Sequence, residues 1–423
     1  MGEGVITVVG AGTGGGGVAY DGAGGEVRGA DLVVGAARHL AAAGLPAGVR
    51  RLVLGPLAPA LDVVAGYVSA GRPVTVLASG DPGFFGIVRA LGARFGAAAL
   101  DVRPSVPSVA VAFARLGLSW DDAVVVSAHG RDPRTAVAVC RAHRKAAVLT
   151  GPGAGPAELG AALARTGIQR TLVVAAGVGT DAESVVRVSP AEAAVRDWGA
   201  AVSVVLCLGG DEASWAGGTA GTVAGPAAAP AGWALPEEAF EHRDSMVTKY
   251  EVRALVLARL GPRTGELVWD IGSGSGSVAV ECARFGAAVV AVEKDPRGAA
   301  RVRANAAAHG VDVEVRCGAA PGVLGELPEP DAVFVGGGGA ELGAIVTLCA
   351  RRARRCVVVT LAAVDRVGEV RDTLRAAGLA VDGTLLQSAR LAPLPGEVSR
   401  LAAANPVFVL WGVRPRLAEG ALT

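Results

Sequence analysis

At 423 residues the chain exceeds the size at which a single hydrophobic core is usual, so two domains of roughly 200 residues each are expected. Its 40 basic and 39 acidic residues give a net charge of +1 with no basic block, which argues against nucleic acid or a membrane surface as partner. Six scattered cysteines without C-x-x-C spacing and five histidines without ligand spacing point to reduced thiols and no metal; with no signal-peptide pattern or long uninterrupted apolar run, a cytoplasmic protein is expected.

From Val5 to about Gly209, short Val-rich runs alternate with helix-compatible segments. The runs are Val5 to Val9, Asp31 to Val34, Val74 to Ala78, Ala123 to Val126, Ala146 to Leu149, Leu172 to Ala175 and Val202 to Leu208. This alternation predicts an α/β domain over residues 1–209. After the first strand, Gly10-Ala11-Gly12-Thr13-Gly14-Gly15 contains G-x-G-x-x-G, but Gly16 and Gly17 follow and leave the expected helix no good start, so the pattern is a weak sign of NAD. Ser79-Gly80-Asp81-Pro82-Gly83-Phe84-Phe85-Gly86 is the stronger signal. Gly80 and Pro82 fix a turn at a strand end, where Asp81 can meet a cation or hydroxyl; the bare tripeptide is otherwise an ordinary β-turn. Further along, Ser108 and Thr150 read either as ligand contacts or as helix caps, and His129, in Ser127-Ala128-His129-Gly130-Arg131, as a catalytic base or a loop-structuring imidazole.

Residues 210–236 turn Ala-, Gly- and Pro-rich without apolar periodicity and read as a linker, leaving 237–423 as the second domain. There a helical segment from Ser245 to Leu260 precedes strands at Glu266 to Asp270, Ala288 to Val292, Val313 to Arg316, Ala332 to Val335 and Cys356 to Thr360, the pattern of a doubly wound parallel sheet. Val381 to Gln387 and Pro406 to Trp411 read as an antiparallel pair added at the sheet edge.

The run Leu267-Val268-Trp269-Asp270-Ile271-Gly272-Ser273-Gly274-Ser275-Gly276 carries the most chemistry. Alternate glycines let a ligand lie against bare main chain, and the following helix turns its unpaired N–H groups towards it. Dinucleotide loops hold a pyrophosphate on G-x-G-x-x-G, whereas here Asp270 stands before the first glycine and would repel one. A carboxylate beside a sulfonium and an ammonium is favourable, which points to S-adenosylmethionine (SAM). Glu293, closing the second strand, is placed to accept from two ribose hydroxyls.

Together with Val247-Thr248-Lys249-Tyr250-Glu251-Val252-Arg253, Gly318-Ala319-Ala320-Pro321, Pro330 to Gly338 and Asn405-Pro406-Val407-Phe408, that loop resembles the decarboxylating C-15 methyltransferases of corrin biosynthesis over residues 240–412. The Gly80-Asp81-Pro82 loop, with Asp31 to Gly35, Pro104-Ser105-Val106-Pro107-Ser108, Ser127 to Arg131 and Leu149-Thr150, resembles the C-5 corrin methyltransferases of the tetrapyrrole methylase family over 4–208. The resemblance implies a two-lobed tetrapyrrole methylase domain followed by a Rossmann-like SAM-dependent methyltransferase domain. It further implies two SAM sites: Asp270, Gly272, Gly274, Gly276, Glu293, Gly318 and Ala319 at one, and Gly80, Asp81, Pro82, Ser108 and Thr150 at the other. Lys249 and His129 are the catalytic candidates, and Arg243, Arg253, Lys249 and Arg400 are candidates to clamp carboxylates of a polyanionic tetrapyrrole. Val357 and Ala362 stand where members of the C-15 family carry an Asn and a Glu.

Fused enzymes of this kind methylate precorrin-6B at C-5 and C-15 and remove the ring C acetate carboxylate on the way to cobalamin, and a homo-oligomer is expected. The rival readings are a methyltransferase acting on nucleic acid or protein, an NAD-dependent oxidoreductase using the N-terminal glycines, and a tetrapyrrole-binding regulatory protein with a degenerate C-terminal site.

Overall fold

A computed structural model describes residues 6–11, 27, 29–151, 153–199, 203–216, 224–225, 234–243 and 247–415. The glycine pattern beyond Ala11, most of the linker and Ser245-Met246 lie outside the described residues. The chain divides into two compact units, residues 1–131, 147–160 and 171–220 in one and 132–146, 161–170 and 221–423 in the other.

The N-terminal half carries two five-stranded sheets. In the first, β1 (Ile6–Ala11), β2 (Leu32–Gly35), β3 (Arg50–Val53), β4 (Val74–Ser79) and β5 (Leu100–Arg103) run parallel in the order β3-β2-β4-β1-β5. Its central strands are the predicted Val-rich runs, and their side chains Ile6, Val8, Leu32, Val34, Val74 and Val76 form one core with Leu91 and Val64 of the flanking helices. β3 and β5 escape the sequence pattern because they are the two edges, where Arg50, Arg51, Asp101 and Arg103 alternate with apolar residues. The second sheet orders β6 (Val124–Ser127), β7 (Lys145–Leu149), β8 (Thr171–Ala176), β9 (Ser184–Val188) and β10 (Ser203–Leu208) as β6-β7-β10-β8-β9, with β8 antiparallel to both β9 and β10.

The second unit is a single seven-stranded sheet with a projecting hairpin. Strands β11 (Leu267–Ile271), β12 (Ala288–Glu293), β13 (Glu314–Cys317), β14 (Ala332–Val335) and β15 (Cys356–Leu361) are parallel, in the order β13-β12-β11-β14-β15. The four inner ones, buried on both faces, read as largely apolar runs, while the edge strand β13 mixes charged and apolar residues. β16 (Ala380–Leu386), β17 (Ala389–Leu394), β18 (Val398–Ala403) and β19 (Val407–Val413) follow; β19 inserts antiparallel between β15 and β16, the expected edge pair. Because β16 therefore points the same way as β15, the β17–β18 hairpin springs from the carboxyl edge of the sheet. That is the edge at which doubly wound sheets bind ligands.

The helix before β11 spans Tyr250–Leu260 rather than starting at Ser245, and Gly261 ends it in the left-handed conformation at φ 51°.

Candidate functional site

In the second unit the glycine loop leaves β11 at its carboxyl end. Gly272, Gly274 and Gly276 all have positive φ, at 75°, 58° and 73°. A Cβ on Gly272 would meet the Gly337 carbonyl at 3.0 Å, and one on Gly276 would press on Val302 at 2.7 Å; Gly274 faces open space. Two glycines are thus demanded by packing as well as by φ, and the third leaves room at the crevice. Asp270 is 1% exposed. Its Oδ2 accepts from the Ala279 N–H at 3.0 Å in the helix Ser277–Arg284, while Oδ1 is buried without a hydrogen-bond partner. Burial pushes this carboxyl up to about 7, against the pull of the Ala279 bond. An orphaned oxygen on a destabilised carboxylate is what a cationic ligand would satisfy.

Glu293 ends β12, where Oε2 accepts from Gly274 N–H and Oε1 from Asp295 N–H, both at 2.9 Å. Each oxygen keeps a second lone pair for a hydroxyl. Gly298 leaves space for this side chain, since a Cβ there would meet Glu293 Cγ at 2.7 Å. Gly318, just past β13, donates its N–H to the Glu293 carbonyl at 2.9 Å and is followed by the exposed Ala319. Asp270, the three glycines, Glu293 and Gly318-Ala319 are therefore brought to one crevice.

Sequence reading missed Asn305. It is buried in the helix Pro296–Ala308, where its Nδ2 donates to the Ser275 carbonyl at 2.8 Å and to the Glu241 carbonyl at 2.9 Å, and its Oδ1 accepts from Glu241 N–H at 2.8 Å. An amide in an Ala-rich helix was the available signal. Asn305→Ala leaves these groups unpaired and should cost about 1–3 kcal/mol and weaken S-adenosylhomocysteine binding, read by thermal melts with and without that ligand.

The basic candidates separate. Lys249 is half-buried immediately before the helix Tyr250–Leu260, and its positive charge helps hold Glu237 low. Arg243 is exposed, as is Arg400, which lies on the hairpin opposite Ala392. Arg253 departs from the expectation. It is fully enclosed, donating to the carbonyls of Thr248 (2.6 Å) and Leu235, lying over the Phe240 ring and approaching the buried Glu281 at 3.6 Å. A guanidinium so enclosed is out of reach of a substrate carboxylate, and the packing gives it a structural role.

A different arginine ties down the hairpin. Arg390, on the hairpin, makes four bonds of 2.6–2.8 Å, two to Glu237 and two to Glu251. Glu237 also accepts from Tyr250 N–H at 2.7 Å, and the Arg390 bonds hold its carboxyl down at about 2. Val357 is fully buried in the core of β15, so a site amide at that position has no access to the crevice. Ala362 is exposed just beyond the strand. The polar group at the mouth of β15 is instead Thr360, half-buried with Oγ1 3.5 Å from the Val335 carbonyl.

In the N-terminal half, β4 runs into Gly80 at φ 58°. Gly10, at the end of β1, packs against this loop so closely that a Cβ would collide with the Gly80 carbonyl and stand 2.7 Å from Ser105 N. Gly80 in turn sits on Pro107 and Ser108, with 3.1 Å and 3.7 Å to a notional Cβ. Loop and Pro-Ser segment therefore meet at the carboxyl edge of the parallel sheet, as expected. Asp81 Oδ1 accepts from Gly83 N–H at 2.8 Å, tightening the turn. Phe84 packs on the core of the second sheet, while Phe85, at φ 54°, lies under Arg131 at 5.3 Å. This draws the exposed His129 and its neighbours to the same loop. Ser108 opens its helix without a side-chain cap bond, and the Thr150 hydroxyl donates to the Ser203 carbonyl at 2.6 Å. Neither is a helix cap.

Comparison with known proteins accords with both halves. A family described as tetrapyrrole (corrin/porphyrin) methylases matches residues 5–194, and one described as a precorrin methyltransferase domain matches 238–414. A precorrin-6Y C(5,15)-methyltransferase (decarboxylating) of Sinorhizobium sp is 38% identical over 322 residues, 74% of each chain. One from Mycobacterium tuberculosis is 34% identical over 297 residues, 67% of this chain and 69% of that one. A probable cobalt-precorrin-6B C(15)-methyltransferase (decarboxylating) of Pyrobaculum calidifontis is 38% identical over 191 residues, 42% of this chain and 93% of its own. With a tetrapyrrole methylase half, a Rossmann-like half and relatives spanning both, the chain belongs to the precorrin-6Y C(5,15)-methyltransferase (decarboxylating) family.

Proposed function

We propose that this chain methylates precorrin-6B at C-5 and C-15 and decarboxylates the ring C acetate, giving precorrin-8 in cobalamin biosynthesis, with the second unit acting at C-15 and the N-terminal half at C-5. The Asp270 crevice carries the reading, because its orphaned carboxylate oxygen and bare glycine backbone suit a cationic, ribose-bearing donor and not a pyrophosphate. SAM supplies the electrophilic methyl when bound. The residues of the chain position: Asp270 faces the cationic end, Glu293 the ribose, Gly318 and Ala319 border the adenine, and Lys249, Arg243 and Arg400 take substrate carboxylates. Excluding water and aligning a carbon with the methyl group is the main catalytic contribution. In the decarboxylation the bond to the carboxylate breaks, carbon dioxide leaves and the electron pair enters the conjugated macrocycle; the carbon left behind then takes a proton from solvent to become a methyl group.

Gly80, Asp81 and Pro82, with Ser108 and Thr150, are proposed to hold a second SAM. The expected result with purified protein, SAM and precorrin-6B is a product that has gained two methyl groups and lost one carboxyl by mass spectrometry. Titration should show two S-adenosylhomocysteine sites per chain and no response to NAD; one site, or an NAD response, would refute this assignment. Cytoplasmic location fits the reading, and among the described residues no helix is long and apolar enough to cross a membrane.

A homo-oligomer completes the proposal. Leu391 and Leu401 sit opposite one another on the hairpin and are 76% and 68% exposed, on a two-stranded ribbon that is marginal alone. A second copy of the chain is the occupant proposed for this face. Replacing both leucines with Asp should lower the mass measured by light scattering, and an unchanged mass would reject the interface.

A further inference from the structure

The carbon that exchanges hydrogen for methyl must also lose a proton, and the expected general base at C-5 has no buried partner wired to it in His129, which is exposed. A different group is wired. Ser79 is the last residue of β4 and directly precedes Gly80-Asp81-Pro82. Its side chain is exposed at the carboxyl edge of the sheet, and Oγ lies 3.1 Å from Nε2 of His39. Arg38 donates through Nη2 to the same Oγ at 2.8 Å, and its Nε points at His39 Nε2 from 3.4 Å.

With Arg38 donating to it, Ser79 uses its own proton towards His39 Nε2, which places the imidazole proton on Nδ1. Among the described residues that nitrogen is buried without a hydrogen-bond partner, and His39 as a whole is 7% exposed in the helix Ala37–Ala42. Burial, with the Arg38 charge second, outweighs the pull of the Leu77 backbone and lowers the imidazole below its ordinary range, which favours the neutral form. The fold has thus placed a neutral imidazole behind an exposed hydroxyl beside the proposed donor loop.

We propose that Ser79, backed by His39 and oriented by Arg38, is the proton acceptor for methylation at C-5; this rests on the function proposed above. The attacking carbon forms its bond to the methyl group as the sulfur–methyl bond breaks, with that pair remaining on sulfur. The methylated macrocycle is then cationic. Ser79 Oγ takes the proton from the same carbon while its own proton passes to His39 Nε2, and the C–H pair returns to the conjugated system. Arg38 disfavours the resulting imidazolium and so favours release of the proton to solvent. No oxidant or reductant enters. Ser79 meets the substrate, and His39 and Arg38 act through it.

The test uses the full chain with SAM and precorrin-6B carrying deuterium at C-5, counting each methyl separately by mass spectrometry, with C-15 methylation as internal reference. Ser79→Ala should slow the C-5 step by about 100-fold or more, with a deuterium isotope effect that the unaltered protein lacks, and Ser79→Thr should restore most of the rate. Nitrogen NMR of His39 at neutral pH should show the neutral Nδ1–H form, with an Nε2 resonance that moves in Ser79→Ala. His39→Asn should reproduce the kinetic result if it folds; Ser79→Ala, altering an exposed side chain, decides the matter if it does not. An unchanged C-5 rate in Ser79→Ala, a slowed rate without the isotope effect, an imidazolium at His39, or the isotope effect arising in His129→Ala instead would each overturn the assignment. Unaltered protein that adds no C-5 methyl would overturn the proposed function itself.

Discussion

Arg253→Met should destabilise the second unit by about 3–5 kcal/mol, the cost of removing one member of a buried charged pair. Arg253 and Glu281 are both fully buried, and the guanidinium supports the carbonyls of Thr248 and Leu235 on either side of the helix start. Glu281 would keep Arg284 at 2.9 Å and the Leu235 N–H, but not the cation that shares its enclosure. The two carbonyls would lose their donor inside the protein. Denaturant unfolding followed by the fluorescence of the buried Trp269 reports the change. A substrate clamp would behave oppositely, with an unchanged midpoint and a raised KM, so the experiment separates the role expected from sequence from the role the packing assigns.

Affinity for S-adenosylmethionine at the Asp270 crevice should fall by about tenfold per pH unit below pH 7 and level off above it, as measured by calorimetry between pH 5 and about 8. The carboxyl stands at about 7 without ligand because it is buried. A cationic ligand prefers the carboxylate, so binding at lower pH must first expel a proton. In the unliganded chain the sign is reversed. A raised carboxyl favours the protonated folded state, so its contribution to stability is complete below the ordinary value of 3.8 and is lost as pH rises through about 7. Asp270→Asn should flatten the binding profile and weaken affinity at pH 8 by about 10- to 100-fold, the worth of a charge-assisted contact. A profile that stays steep in the Asn variant would place the titration elsewhere.

Much of this architecture was legible because its central strands are buried on both faces. Unbroken runs such as Val289 to Val292 and Val357 to Val359 have no other comfortable place. Some edges were not legible: β3, β5, β9 and the β17–β18 hairpin mix charged and apolar side chains, as solvent on one side permits, whereas the edge strands β6, β13 and β16 were. The glycine loop announced itself by spacing and by the acid in front of it. Asn305 and Arg390 did not, since their partners lie 30–64 and 139–153 residues away and only the folded chain brings them together. Arg253 misled for a related reason. An arginine in a motif suggests an outward charge until the structure shows the side chain fully enclosed, with two of its nitrogens bonded to the main chain.

The four bonds of Arg390 have a mechanical consequence. They rivet the ribbon bearing Leu391 and Leu401 to the start of the Tyr250–Leu260 helix, so that these parts travel as one body. Swinging the ribbon away would mean breaking several charge-reinforced bonds at once, each about twice as strong as a neutral one. The ribbon that springs from the carboxyl edge of the sheet is accordingly braced at its root and not left to swing.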